Sequence, residues 1–249
     1  MPNKTFTQLL LSLALLFFLS SCASYNPITN VKGWFTKTPA EKPPDVMADE
    51  GIKQLKKQKY EDAIETFEKL RDRYPYSEQA LLAQIKVADA YFYKKRYDEA
   101  LQAYRDFEKL HPTNKAIPYC IYRQGLCYFR QRSTIDRDQT FTLKALEEFR
   151  RLKQKFPENE NVPKAEKYLA QCRSDLAEHE FYIGKFYFKT KHYTAALERF
   201  QILAQEYPEF PKQSEVKNYT AECQRILAEP ENKSKGWMSR IGNIFEVNW

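Results

Sequence analysis

Glycine is scarce in this sequence, with six in 249 residues. That argues against a barrel or a doubly wound sheet, since both need many tight turns. Histidine is scarcer still: His111, His179 and His192 have no metal-ligand spacing. No Gly-rich phosphate loop, Gly-x-Ser-x-Gly or His-Glu-x-x-His occurs, so an enzyme has no residues to name and none is expected. Long Lys/Arg runs are missing as well. The 40 basic and 33 acidic residues leave a net charge of +7, which reads as a mixed solvated surface and excludes a nucleic-acid stripe. Wholesale disorder is excluded from the other side, because 43% of residues are hydrophobic and 15% aromatic, enough to bury a core.

What is present begins at the amino terminus. Lys4 precedes an apolar run from Leu9 to Leu19 that is too short to span a bilayer comfortably, so a signal peptide over 1–21 is expected. Leu19-Ser20-Ser21-Cys22 fits a bacterial lipobox. Small residues suit the signal peptidase, and the Cys22 thiol would receive diacylglycerol, with a further N-acyl chain as the only other covalent group expected. Acyl chains anchor stably because each buried methylene adds about 0.8 kcal/mol. Ala23 follows the cysteine, which implies the periplasmic face of the outer membrane. Residues 22–46, with Pro27, Pro39, Pro43 and Pro44, read as a flexible tether that cannot continue a helix.

From Met47 the chain repeats. Ala63, Phe67 and Pro75 recur as Ala100, Tyr104 and Pro112, as Ala145, Phe149 and Pro157, and as Ala196, Phe200 and Pro208. Gly51, Ala88 and Gly184 stand twelve residues before the alanine in three of the four units. This is the tetratricopeptide (TPR) pattern, a helix–turn–helix of about 34 residues. Small residues admit a close approach of two antiparallel helices, the aromatic fills the gap, and proline stops the second helix. In the third unit Gly125 lies twenty residues before Ala145, so an eight-residue insertion within Gln131–Thr140 enlarges its turn. After Pro157, the stretch Val162–Lys189 holds no breaker except the packing glycine Gly184. It predicts one helix of about 28 residues and roughly 42 Å. The expected fold is all-α: a TPR superhelix of antiparallel helix pairs over 47–228, one long helix before the last repeat, and a C-terminal tail over 229–249.

Repeat geometry places Lys86, Asp89, Tyr93, Tyr122, Arg123, Arg130, Tyr182, Lys185 and Lys189 on first helices facing a groove. An aromatic, mostly basic surface of this kind suits an extended peptide with aromatic side chains and a carboxylate. Cys120 and Cys127 lie seven apart on one helix, about 10 Å along its axis, too far for a disulfide. Cys172 and Cys223 could meet, or all four could be buried thiols in helix interfaces. The tail admits several readings. Phe245-Glu246-Val247-Asn248-Trp249 alternates apolar and polar residues, as an extended occupant of a peptide site would. Trp237, Met238, Ile241, Ile244 and Phe245 fall at helical spacing, as in an amphipathic helix, and plain packing against the last repeat is a third reading.

The order of these features resembles one family. A lipobox, Arg73-Tyr74-Pro75, the run Tyr119 to Leu126, an insertion carrying Asp136-Arg137-Asp138, Phe149 through Pro157 and a long helix before the last repeat are similar to the BamD (ComL/YfiO) lipoproteins of the β-barrel assembly machine. The resemblance covers residues 22–228. It implies an outer-membrane scaffold, lipid-anchored through Cys22, that holds a BamA-like barrel protein, engages unfolded β-barrel precursors and meets other assembly lipoproteins. It also implies substrate contact at Tyr74 and, at Arg199, a bridge to the barrel protein. A different TPR envelope lipoprotein, such as a secretin pilotin or cell-envelope adaptor, is the alternative; it would lack the Asp-Arg-Asp insertion and the long helix.

Overall fold

A computed structural model describes residues 41–228, which form nine α-helices and no strand. In chain order they are α1 (Pro44–Lys56), α2 (Tyr60–Arg73), α3 (Glu78–Tyr93), α4 (Tyr97–Leu110), α5 (Ile117–Gln131), α6 (Thr140–Lys155), α7 (Val162–Lys189), α8 (Tyr193–Glu206) and α9 (Gln213–Ala228). Each packs against the next, and α1 also touches α3, α5 touches α7 and α7 touches α9. The described residues therefore form four antiparallel pairs closed by α9, the all-α TPR arrangement that the sequence predicts. The first helix starts at Pro44, three residues before the expected boundary. Proline is tolerated in a first helical turn, where its missing N–H has no intrahelical acceptor anyway.

The repeat positions act as their chemistry requires. A Cβ built on Gly51, Gly125 or Gly184 would come within 2.6 Å of Phe67, 2.6 Å of Phe149 or 2.7 Å of Phe200, so ring and glycine share one space in three repeats. In the second repeat Ala88 and Tyr104 take these places, both fully buried. Each second helix ends on the residue before its proline: Tyr74, His111, Phe156 and Tyr207 leave helical geometry at φ −127° to −138°. Proline's ring disfavours α geometry in the preceding residue, which fixes these stops.

The first helices of repeats one, two and four end in identical turns. Gln58, Lys95 and Lys191 sit in the left-handed region at φ 59°, 63° and 64°. Their N–H groups donate to Leu55, Phe92 and Phe188, and the following N–H groups donate to Gln54, Tyr91 and Tyr187. This is a Schellman closure with a long side chain where glycine is usual. The third repeat replaces the turn by residues 132–139, the insertion expected from the spacing.

The long helix spans Val162–Lys189, 28 residues, as the absence of breakers predicts. Its first half packs into the central apolar cluster with Cys172 and Leu176, and its second half into the C-terminal cluster with Ala177 and Phe181. Cys120, Cys127, Cys172 and Cys223 are all buried and free, so Cys172 and Cys223 do not pair. Burial pushes the first three thiols up to about 12 and raises Cys223 also, which keeps them protonated and unreactive. No helix among the described residues is long and apolar enough to cross a membrane.

Candidate functional site

The residues expected to line one groove separate into different environments. Three of them turn inward. Asp89 is 2% exposed and Arg123 7%, and they meet in a knot joining α3, α4 and α5. Tyr104 and Tyr119 donate their hydroxyls to Asp89 Oδ1 at 2.5 and 2.6 Å. Lys86 Nζ reaches Oδ2 at 2.8 Å. Arg123 Nε donates to the Tyr104 oxygen at 2.9 Å, with Nη2 3.5 Å from Asp89. The guanidinium lies 3.9 Å from the Phe92 ring centroid, a cation–π contact.

A buried charge is tolerated only when paired and hydrogen-bonded. The knot supplies both to Asp89 and to Arg123 Nε, while Arg123 Nη2 is buried with only its ion-pair contact to Asp89. Burial and the adjacent Asp89 carboxylate push the Tyr104 and Tyr119 phenols well above their ordinary value, so both remain donors. The expectation that Asp89 and Arg123 present themselves to a ligand is therefore corrected: they are structural. Tyr122 is corrected likewise. It is buried against Phe149 and Tyr168, and only its edge reaches a shallow basic hollow with Lys164 and Lys167. Tyr93 is exposed and stacks on Tyr60 at 5.9 Å, and Arg130 is exposed near the end of α5.

Tyr182, Lys185 and Lys189 do come together. They line a cleft of about 700 Å³ with Phe181, Phe186 and Phe188 of α7, Tyr219 of α9, Lys212, Glu178 and Ile135. Tyr182 and Phe186 are 45% and 54% exposed, so the wall is both apolar and open. Lys212 is neutralised by Glu178 at 3.0 Å, and Lys185 lies 5.2 Å from the Phe181 ring. Lys185 and Lys189 make no ion pair among the described residues.

The insertion builds one wall. Arg132 donates to Asp175 at 2.9 Å and stacks 3.7 Å from the Phe129 centroid. His179 Nδ1 meets the Ile135 carbonyl at 2.5 Å. Within the loop, buried Gln139 donates to the carbonyls of Thr134 and Arg137, and Asp138 accepts from the Thr140 N–H. The loop is thereby held against α7 with Ile135 at the cleft. Two of these features, Ile135 and Lys212, lie outside the repeat positions, which is why repeat spacing missed them. The aromatics Phe186 and Phe188 follow Gly184 by two and four residues, one helical turn from Tyr182 and Lys185.

Arg199 pairs with Glu180 at 3.1 Å and is partly exposed. Tyr74 is half-buried against the first repeat's core, its carbonyl accepting from the Ser77 N–H and hydroxyl. Neither lies in the cleft. Cys22 lies outside the described residues. Among those residues no cluster of three or more His, Cys, Asp or Glu side chains could hold a metal ion.

This architecture has relatives in sequence. The outer membrane protein assembly factor BamD of Rickettsia prowazekii is 32% identical over 159 residues, covering 64% of this chain and 63% of the relative. The factor of the same name from Caulobacter vibrioides is 28% identical over 167 residues, covering 67% of this chain and 55% of its own. That of Neisseria meningitidis serogroup A is 27% identical over 210 residues, covering 80% and 77%. This chain thus spans between half and two thirds of the length of the first two. The family model described as "YfiO: Outer membrane lipoprotein" matches residues 40–237, every described repeat included. The chain belongs to the YfiO outer membrane lipoprotein family.

Proposed function

We propose that this protein is a scaffold for assembling outer-membrane proteins, held on the periplasmic face of the outer membrane by acyl chains on Cys22. It binds a BamA-like barrel protein and unfolded β-barrel precursors, other assembly lipoproteins sit beside it, and its work is binding without catalysis. The observation that carries this reading is the open cleft of the last repeat. An apolar wall with two cations lacking an ion-pair partner is suited to a polypeptide segment bearing aromatic side chains and acidic groups. The relatives' shared name, outer membrane protein assembly factor, supplies the biological setting. Tyr74 is assigned to substrate contact, and Arg199 to the barrel partner, exchanging its half-exposed pair with Glu180 for an acidic residue across the interface.

The test is co-purification of the acylated chain from detergent-solubilised outer membrane. Recovery of a barrel protein with repeated periplasmic domains is expected, together with at least about a fivefold loss of it on Arg199→Glu, as for a rim charge worth about 1 kcal/mol or more. Recovery of a secretin instead, or of no barrel protein, overturns the reading.

A further inference from the structure

We propose that residues 241–249 of this chain dock in the cleft between α7 and α9, so that a partner entering it must displace the chain's own tail. The inference rests on the cleft's shape and charge and does not depend on the assembly role.

The wall needs a cover. Phe186 and Tyr182 leave about half their surface open beside Phe188 and Tyr219, and apolar patches of this kind mark places where another segment sits. The nearest polypeptide is the chain's own C-terminal stretch after Ala228. Residues 241–249 read Ile-Gly-Asn-Ile-Phe-Glu-Val-Asn-Trp: five large apolar side chains, one acid in Glu246 and no base. The preceding stretch, with Lys233, Lys235 and Arg240, lacks that complementarity to a cleft whose charge is positive.

The connection is of the right length. Ala228 lies nine residues beyond Tyr219 on α9, about 14 Å along the helix. A coil of twelve residues, the length of 229–240, spans roughly 19 Å root-mean-square. The return to the cleft needs no stretching, and a connector of this kind holds its end at millimolar effective concentration. A contact too weak to persist between separate molecules is then occupied within one. Glu246 meets Lys185 or Lys189, and the rings of Phe245 and Trp249 lie on the aromatic wall.

Cysteine crosslinking of the full acylated chain in detergent tests this, because the native thiols are buried and protonated and do not compete. The variant Lys189→Cys/Asn243→Cys pairs the cleft rim with the tail; Lys109→Cys/Asn243→Cys pairs the tail with α4, outside the cleft. Under mild oxidation the first is expected to form an intramolecular disulfide at least about tenfold faster than the second. Adding Phe186→Asp, at an exposed position the fold tolerates, is expected to bring the rate down to the control's. Equal rates in the two pairs, or no response to Phe186→Asp, overturn the proposal. A disulfide linking two chains instead of closing one also overturns it, by giving the cleft to a second copy. Co-purification of a barrel partner is measured separately, so loss of that reading leaves this one standing.

Discussion

The second and fourth repeats carry the same three first-helix positions and use them in opposite ways. Lys86, Asp89 and Tyr93 stand relative to Ala88 as Tyr182, Lys185 and Lys189 stand relative to Gly184. In the second repeat Asp89 is buried and Lys86 half-buried over it; in the fourth all three are exposed. One hydroxyl accounts for much of the difference. The ring packed on the small residue is Phe200 in the fourth repeat and Tyr104 in the second. A buried phenol must find a partner, and Asp89 is in reach. Its carboxylate then draws in Tyr119 and Arg123 from the next repeat. Phe200 makes no such demand, so the polar side chains beside it stay in solvent and neighbouring rings line an open cleft. The same repeat code thus builds a locked joint in one place and an exposed apolar cleft in another.

Breaking the joint has the largest expected effect. Asp89→Ala strands the buried Arg123 guanidinium and two phenols, and breaking a buried pair by removing one partner costs about 3–5 kcal/mol. The urea midpoint of the protein should fall accordingly; a loss under about 1 kcal/mol would mean water already serves the knot. Tyr104→Phe makes the second repeat resemble the fourth. It removes one donor to Asp89 and the acceptor of Arg123 Nε, an expected loss of about 1–3 kcal/mol, with far-ultraviolet circular dichroism unchanged. Stability equal to the parent's would show that the hydroxyl does not set the contrast. At the small end, Phe186→Ser removes part of the cleft wall and is expected to change stability by under about 0.5 kcal/mol, as for an exposed position. Its effect belongs to binding, and a large fall in melting temperature would place the cleft in the core instead.

Much of the fold is legible from residue spacing because its determinants are local. Alanine, ring and proline at fixed offsets give four pairs, the extra eight residues before Ala145 give the enlarged turn, and an uninterrupted 162–189 gives the long helix. The candidate site was legible in part. Tyr182, Lys185 and Lys189 are found by position alone, whereas Asp89 and Arg123 are charged residues at positions that ordinarily face solvent. The burial of Asp89 depends on Tyr119 and Arg123 arriving from the next repeat, thirty and thirty-four residues away. One clue was available: Tyr104 stands where the other repeats carry phenylalanine, and its hydroxyl needs an acceptor. Ile135 and Lys212 enter the cleft from connecting segments, for which periodicity makes no statement.

The unbroken α7 has a consequence for how the molecule comes apart. Ordinary solenoids unzip repeat by repeat, since each unit touches only its neighbours. Here Cys172 and Leu176 belong to the central cluster and Ala177 and Phe181 to the C-terminal one, with no loop between them to absorb a break. Opening either cluster removes the support from a rod the other needs. The central and C-terminal clusters, which between them hold the second, third and fourth repeats, are therefore one foldon, and their amides should exchange with solvent together.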